Sequence, residues 1–341
     1  MRKILLILSF LPFTVYAQMT FEGICCWGDS KTQGNQEPGV SYPSMLQNLL
    51  EENHYDITVY NFGANGEKST EIMQRQGARE LIVQPFTIPE SSGTEVKIAI
   101  NSHLRVPEAG CNPCVINGVE GAIRHDWSDS SQKTFYFSRF TDGYAVVVDK
   151  PTRIITDAML HHRNDILIMD IGYNGGFSSV SDWISQYKEM VDYSDSKEYV
   201  VIGRASHYYV TSTTTEDAFS EAFGNRYISL SQYYVEHGLE DAGITPTPND
   251  LNDILSGRPP QSLFLDDHHE NAYGYAIKAK LVYQKLLELG LLPPPTSIST
   301  IDNDNDEQKT GIYTLQGQKI KAISSSGIYI VNGKKIYIKS K

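Results

Sequence analysis

Short apolar runs alternate with longer amphipathic stretches through most of the chain. Short, nearly continuous apolar runs are typical of strands buried on both faces of a parallel sheet. The predicted strands of this kind cover residues 24–27, 57–62, 166–171 and 199–203. In other stretches the apolar residues recur at helical spacing, and the predicted helices cover residues 42–53, 69–81, 182–191 and 272–289. This alternation predicts an α/β fold.

The alternation breaks between residues 84 and 158, where the helical period is absent. In its place come short alternating runs separated by glycines, at residues 96–100, 114–116, 134–140, 144–148 and 153–155. A crossover between neighbouring parallel strands needs only about 30 residues. We therefore predict a β-rich module, residues 84–158, inserted into a discontinuous α/β domain of residues 18–83 and 159–292.

Both ends of the chain differ from the middle. Residues 1–17 begin with Arg2 and Lys3, continue as an apolar run, and end on small residues suited to cleavage, which predicts a signal peptide. We expect export to the periplasm, the cell surface or the medium. Residues 293–310 form a Pro-rich and acidic linker, and residues 311–341 carry two hairpin-like runs with six lysines and no acid. We expect this C-terminal tail to act as an address or docking element.

Charge and length exclude some function classes. The chain has 341 residues and a formal net charge of −12, which argues against a nucleic-acid partner or an anionic membrane surface. The apolar run near the start is too short to span a membrane.

The four cysteines fall into two pairs. In an exported protein Cys111 and Cys114 are predicted to form a structural disulfide. Cys25 and Cys26 are neighbours on an apolar strand, so we expect buried free thiols on opposite faces of the sheet.

A serine and a distant histidine suggest nucleophilic catalysis. Ser30 follows a predicted strand in the turn Gly28-Asp29-Ser30, and His269 follows Asp266 by three residues near the last helix. A serine hydroxyl needs a base to take its proton, and that base needs a third group to hold its tautomer. Each motif alone also fits an ordinary turn or a helix cap.

Two further turns follow predicted strands, at residues 61–67 and 172–175. Acyl transfer builds negative charge on a carbonyl oxygen, and preset donors at such turns could stabilise it. Glycine and asparagine also favour simple strand-end turns, so the order of all four signals along the chain is what indicates a site.

These four blocks resemble those of the SGNH (GDSL) hydrolase family. The matching residues are Gly28-Asp29-Ser30 with Thr32 and Gly34, residues 61–66, Gly172-Tyr173-Asn174, and Asp266 to His269 followed by Asn271, Gly274 and Tyr275. The resemblance implies a three-layer α/β/α, flavodoxin-like sheet and no cofactor or metal.

The same resemblance implies the roles of the site residues. Ser30 would be the nucleophile, His269 the general base and Asp266 its orienting partner. The backbone N–H groups of Ser30 and Gly66 and the side-chain amide of Asn174 would form the oxyanion hole. The β-rich insert resembles inserts of some gut-bacterial and phage-associated esterases, and the tail resembles those of proteins exported by type IX-like secretion.

The leading hypothesis is a secreted serine esterase that removes O-acetyl groups from a polysaccharide or peptidoglycan, with an acylated glycan as partner and the secretion machinery as a second partner of the tail. Tyr173, His207 and Tyr208 are candidate substrate-binding residues, although a hydrogen-bonded structural role is favoured for His207. Alternatives are a lipase, arylesterase or thioesterase of the same family, and a glycan- or partner-binding protein with a vestigial triad. A metal-dependent hydrolase is disfavoured, because no His-x-x-x-His pair with a helical carboxylate occurs.

Overall fold

The computed structural model describes residues 21–34, 40–128, 134–208 and 210–292, together with short strands between residues 312 and 338. The predicted signal peptide and the predicted linker lie outside the described residues. The chain divides into two compact units, residues 1–295 and 296–341. Within the described residues, no helix combines the length and the apolar character needed to cross a membrane.

The first unit contains both strands and helices. Its strands are Gly23–Gly28 (β1), Thr58–Gly63 (β2), Ile82–Val83 (β3), Phe86–Ile88 (β4), Val96–Ile98 (β5), Cys114–Ile116 (β6), Val119–His125 (β7), Phe135–Arg139 (β8), Val146–Val148 (β9), Thr152–Arg153 (β10), Ile166–Asp170 (β11), Tyr199–Ile202 (β12) and Tyr227–Ile228 (β13). Its α-helices are Ser30–Gln33 (α1), Tyr42–Glu52 (α2), Ser69–Gln76 (α3), Asp157–His161 (α4), Val180–Tyr193 (α5), Thr213–Phe223 (α6), Leu230–Asp241 (α7), Pro248–Leu255 (α8) and Ala272–Glu288 (α9).

A five-stranded sheet with the order β13-β12-β11-β1-β2 forms the centre of this unit, and all of its pairings are parallel. The chain adds β2 on one side of β1 and then adds β11, β12 and β13 in turn on the other side, which is the flavodoxin-like strand order. The direction in which strands are added therefore reverses between β1 and β11. Ligands of such sheets bind beyond the carboxyl ends of the strands at this reversal. The predicted α/β fold is confirmed, and the loops after β1, β2 and β11 meet at that edge.

Helices cover both faces of the sheet, which makes three layers. Ile24 and Cys26 of β1 face a core shared with α2, α7 and α9. Cys25 and Trp27 face the opposite core, which is shared with α3, α5 and α6. Alternate residues of a strand point to opposite faces, so the two neighbouring cysteines lie in different cores, as predicted, and both are free thiols.

Helix α3 is shorter than predicted. It ends at Gln76 because Gly77 adopts a left-handed backbone conformation with φ of 102° and its N–H caps Met73 O. The predicted end at residue 81 extended the helical period into residues that lead to the next strand.

The segment between β2 and β11 is rich in antiparallel strands. β5, β8, β7 and β6 form a four-stranded sheet, and β4 with β9 and β3 with β10 form two-stranded sheets. These strands enclose a separate core that includes Ile98, Ile123, Phe135 and Phe137. We call residues 82–153 the β module.

The disulfide prediction for Cys111 and Cys114 is wrong. Both residues are buried free cysteines in the core of the β module. A hydrogen bond between the two side chains and their burial together raise the pKa of the Cys111 thiol. Here the thiols fill small apolar positions, where cysteine packs as a hydrophobic residue.

The second unit contains four described strands, Ile312–Thr314 (β14), Lys319–Ile320 (β15), Gly327–Val331 (β16) and Lys334–Ile338 (β17). They form an antiparallel sheet with the order β15-β14-β16-β17. The two predicted hairpin-like runs are thus joined edge to edge through β14 and β16.

Candidate active site

Ser30 lies in a sharp turn directly beyond the carboxyl end of β1. A side chain at Gly28 would collide with Thr32, since an added Cβ would lie 2.0 Å from Thr32 Oγ1. Asp29 caps the one-turn helix α1 by accepting a hydrogen bond from the Lys31 N–H. The turn therefore needs glycine at its start and an acceptor next to it, and it holds the Ser30 side chain in a largely buried position.

Ser30, His269 and Asp266 form a continuous chain of hydrogen-bonded side chains. Ser30 Oγ lies 2.9 Å from His269 Nε2. On the other side of the ring, His269 Nδ1 lies 2.8 Å from Asp266 Oδ2. The structure thus brings together the three residues that the sequence predicted as nucleophile, base and orienting acid.

The Asp266 carboxylate also fixes the loop that carries the histidine. Its Oδ1 accepts hydrogen bonds of 2.7 Å from the backbone N–H groups of both His268 and His269. Partial burial works against the charged form, but these backbone hydrogen bonds and the His269 ring outweigh it and lower the pKa of Asp266 to about 2. Asp266 is therefore ionised at any neutral or mildly acidic pH, as an orienting group must be.

The three predicted oxyanion donors lie on the loops that follow the neighbouring strands β1, β2 and β11. In the part of the chain that the structure describes, neither the Ser30 N–H nor the Gly66 N–H has a hydrogen-bond partner. The Asn174 side chain donates to Glu67 O at 3.0 Å and, with a longer bond of 3.3 Å, to Asp29 Oδ2. Asn174 therefore links the residue before Ser30 to the residue after Gly66, and the loops following β1, β2 and β11 meet there.

Two buried lysines stabilise the floor of the site. Lys31 Nζ lies 2.9 Å from Glu270 Oε2 and also donates to His268 O at 2.6 Å. Lys278 of α9 pairs with Asp170 at the end of β11 and approaches Glu270. Burial opposes the charged form of Glu270, but the two lysines lower the pKa of its carboxyl overall.

The Lys31–Glu270 pair connects the residue after Ser30 to the residue after His269. Sequence reasoning missed this ion pair. The available signal was a pair of opposite charges, Lys31 next to Ser30 and Glu270 next to His269.

Asp29 is the exception among the buried acids. Burial, aided by the nearby Asp170 carboxylate, raises its pKa to about 7, although the Lys31 N–H bond and both lysines act in the other direction. The carboxyl beneath the nucleophile turn is therefore poised between its neutral and charged forms near neutral pH.

The predicted substrate-binding residues occupy different places. The Tyr173 hydroxyl lies 2.6 Å from His268 Nδ1, next to the catalytic loop. Tyr208 is exposed, and its ring centroid lies 5.8 Å from that of His268. His207 lies 3.2 Å from the buried Asp253 carboxylate and lines a cavity of about 210 Å³ on the outer side of Asp266.

The β module reaches the candidate site through Glu67. Its carboxylate accepts from Arg75 Nε at 2.7 Å and from the backbone N–H of Arg105 at 2.8 Å. Arg75 is fully buried and also donates to Phe62 O and Ala109 O. One buried ion pair thus holds the turn after β2 against a segment of the β module, and no period or motif along the chain predicts it.

Within the described residues, one cluster has the donor types of a metal site. Cys25, His162 and Asp165 place their ligand atoms within 4.8 Å of one another. The cluster lies toward the amino end of β1, whereas Ser30 lies beyond the carboxyl end of that strand. It is therefore separate from the candidate active site.

Comparison with known proteins adds likenesses at low identity. The chain matches no protein-family profile and no curated protein. Among solved structures it is similar to an acetyl xylan esterase, AlAXEase, with 11% identity and a TM-score of 0.36, over 77% of this chain and 98% of that chain. It is also similar to the protein YxiM from Bacillus subtilis, with 13% identity and a TM-score of 0.36, over 80% of this chain and 58% of that chain. Likenesses at this level carry no argument about activity, so the functional case rests on the geometry of the site.

Proposed function

We propose that this protein is a serine esterase of the SGNH type that cleaves carboxylic esters through an acyl-enzyme. The observation that carries the proposal is the chain of contacts from Ser30 Oγ to His269 Nε2 and from His269 Nδ1 to Asp266. Nucleophilic acyl transfer needs a hydroxyl, an imidazole ring and an ionised carboxylate that are joined by hydrogen bonds. Both ring nitrogens of His269 lie at hydrogen-bond distance from these partners.

Each of the three side chains has one task in the formation and hydrolysis of the acyl-enzyme. His269 Nε2 takes the Ser30 proton as Oγ bonds to the ester carbonyl carbon, and Asp266 stabilises the imidazolium that forms. The oxyanion accepts hydrogen bonds from the Ser30 and Gly66 N–H groups, and from the Asn174 amide once its longer bond to Asp29 is given up. The tetrahedral intermediate then breaks its bond to the alkoxy oxygen, which leaves as the alcohol with the proton from His269. Water, deprotonated by the same ring, attacks the acyl carbon. The bond from that carbon to Ser30 Oγ then breaks, His269 returns the proton to Oγ, and the carboxylic acid is released.

We further propose that the ester is an O-acetyl group on a glycan and that the protein is exported. Two exposed aromatic side chains support a sugar substrate, because a flat ring offers a stacking surface for a pyranose face. They are Tyr208 beside the catalytic loop and Trp127 at the end of β7. The signal-like start of the sequence supports export, and we assign the lysine-rich tail to sorting. Removing residues 296–341 should leave ester hydrolysis unchanged and alter where the protein accumulates.

The nucleophile can be tested directly. The purified protein without its first seventeen residues should release 4-nitrophenol from 4-nitrophenyl acetate without added metal. Ser30→Ala should lower kcat/KM by about a thousandfold or more, because no other group can form the acyl-enzyme. A serine-directed phosphonate should add one label to the wild type, on the peptide that contains Ser30.

Ser194→Ala is the matched control, because it also removes a buried serine hydroxyl, one that donates to Arg163 O far along the chain from the site. This control should hydrolyse the ester at the wild-type rate. Unchanged turnover in Ser30→Ala, or activity that disappears with a chelator alone, would refute the proposed mechanism.

A further inference from the structure

An arginine of the β module lies against the turn that carries Gly66. Gly66 has a left-handed backbone conformation with φ of 73°, and a Cβ added to it would lie 3.1 Å from both Cζ and Nε of Arg105. The guanidinium is therefore in contact with the loop that supplies a proposed oxyanion donor. Its backbone is fixed there as well, since the Arg105 N–H donates to the buried Glu67 carboxylate.

Among the described residues, the Arg105 guanidinium has no carboxylate or carbonyl partner, and its contact is with the Trp127 ring. In residues 21–34, 40–128, 134–208 and 210–292, every other arginine side chain donates a hydrogen bond to a carboxylate or carbonyl oxygen. The Arg105 guanidinium makes no such bond in this part of the chain, and its Nε is shielded from solvent without an acceptor. Five other arginines also have a shielded Nε without an acceptor, but the terminal nitrogens of each are bonded elsewhere. Among the described residues Arg105 alone lacks such a bond, so its guanidinium beside the Gly66 turn is free to take an acceptor from outside.

An exposed aromatic ring extends the same surface. Arg105 Cζ lies 5.3 Å from the centroid of the Trp127 ring, which is 54% exposed. The His125 ring packs against Trp127 with a centroid distance of 4.3 Å. Arg105 and His125 both pack against the indole, and about half of the Trp127 surface stays exposed next to the guanidinium.

The geometry points to a subsite for an acidic sugar, formed by Arg105 and Trp127. The planar guanidinium matches a carboxylate in a two-bond arrangement, and the indole offers a stacking face for the sugar ring that bears it. In a chain with a formal net charge of −12, an unpaired cation next to the site selects for an anion where the rest of the surface repels one. This assignment rests on the proposed esterase function and names its substrate class as O-acetylated uronic acid residues.

The test compares two substrates that differ by one charge. Wild-type protein and variants are assayed for acetate release from fully O-acetylated methyl galactosiduronic acid and from its C6 methyl ester, which has the same acetyl groups and no carboxylate. The measured quantity is the ratio of kcat/KM for the acid to that for the methyl ester. We expect Arg105→Gln to lower this ratio about tenfold, the scale of one charge-assisted hydrogen bond in a half-exposed site. Arg105→Lys should retain part of the preference.

Arg124→Gln is the matched control, because Arg124 also belongs to the β module and packs on a ring, that of Tyr136 at 4.7 Å. Its guanidinium is already paired with Glu95 at 2.5 Å, so its removal should leave the ratio unchanged. Thermal melting of each variant shows whether the fold is retained. The inference is overturned if wild type hydrolyses both substrates equally well, or if Arg105→Gln lowers both rates by the same factor.

The two proposals fail in different ways. If no ester is hydrolysed, or if hydrolysis does not depend on Ser30, the esterase proposal fails. If Ser30-dependent hydrolysis occurs without an acid preference that depends on Arg105, only the acidic-sugar subsite fails.

Discussion

Two aspartate–histidine pairs with the same spacing lie near opposite ends of strand β1. At the carboxyl end, Asp266 and His269 are joined by a contact of 2.8 Å between Oδ2 and Nδ1. Toward the amino end, His162 and Asp165 are joined by a contact of 2.7 Å between the same atom types. Each pair also has a potential nucleophile beside it, Ser30 in one case and Cys25 in the other.

The pairs differ in what the second ring nitrogen faces. His269 Nε2 faces the Ser30 hydroxyl, whereas His162 Nε2 lies 3.5 Å from a second carboxylate, that of Asp157. The Cys25 thiol contacts Asp165 Oδ2 at 3.2 Å instead of the ring. Burial, together with the Asp165 charge, raises the pKa of the Cys25 thiol well above its usual value, so it stays protonated and unreactive.

The two aspartate–histidine pairs also differ in the side chains that surround them. Tyr60 and Phe62 pack on the His162 ring, with centroid distances of 4.3 and 5.1 Å. Near Asp266 and His269, by contrast, the side chains of Tyr208 and Leu265 are exposed. A carboxylate–imidazole pair is therefore not a base by itself, and it becomes a candidate base only where its second ring nitrogen faces a nucleophile.

The largest expected effect separates the two histidines. His269→Ala should lower kcat/KM for 4-nitrophenyl acetate by about a thousandfold, because Ser30 loses its base. His162→Ala should retain the wild-type rate and lower the free energy of unfolding by about 1–3 kcal/mol, since it removes the imidazole partner of the buried Asp165 carboxylate. His268→Ala should cost far less activity than His269→Ala. Equal losses of kcat/KM in His162→Ala and His269→Ala would mean that the two histidines do not differ in function.

The next effect concerns the ion pair beneath Asp266 and His269. Lys31→Met removes the nearest cation from the buried Glu270 carboxylate. Breaking a buried ion pair in this way lowers the free energy of unfolding by about 3–5 kcal/mol. Urea unfolding should show this loss. Arg163→Gln is the control, because it breaks an exposed ion pair with Asp195 and should cost less than about 1 kcal/mol. Similar costs for the two variants would mean that the Lys31–Glu270 pair does not hold the site together.

The smallest expected effect is a dependence of stability on pH. The folded-state pKa of Asp29, about 7, lies above its ordinary value of 3.8, so the stability that its protonated form contributes is complete below about pH 4 and is lost as the pH rises through 7. The free energy of unfolding should therefore fall by about 2 kcal/mol between pH 5 and pH 8 from this group.

Asp29→Asn keeps the cap of α1 and should remove that slope. Asp266 acts in the opposite direction, because its pKa is lowered to about 2 and its contribution is lost only as the pH falls toward that value. A slope that persists in Asp29→Asn would assign the titration to another group.

The sequence predicted the strands of the central sheet well, because strands buried on both faces leave continuous apolar runs such as residues 166–171. It did not predict α6, α7 and α8, which lie between residues 213 and 255 and carry polar residues on most of their surface. The two-residue strand β13 is too short to leave a pattern.

Contacts of the candidate site between residues close in sequence could be predicted, whereas contacts between distant loops could not. The Asp-x-x-His spacing encodes its own contact, since three residues bring the two side chains together in one turn. The Lys31–Glu270 and Glu67–Arg75 pairs depend on how distant loops meet, which no local pattern records. The cysteine pair misled because close spacing permits a disulfide without requiring one.

The Glu67–Arg75 pair has a consequence for protein engineering. Arg75 belongs to the α/β domain, yet one of its acceptors is the Ala109 carbonyl in the β module. A chimera that exchanged this module for that of a relative would have to supply a replacement acceptor at the same place. Without one, Arg75 would lose one of its acceptors beside the Glu67 turn, so an exchange of the module would also disturb the loop that carries Gly66.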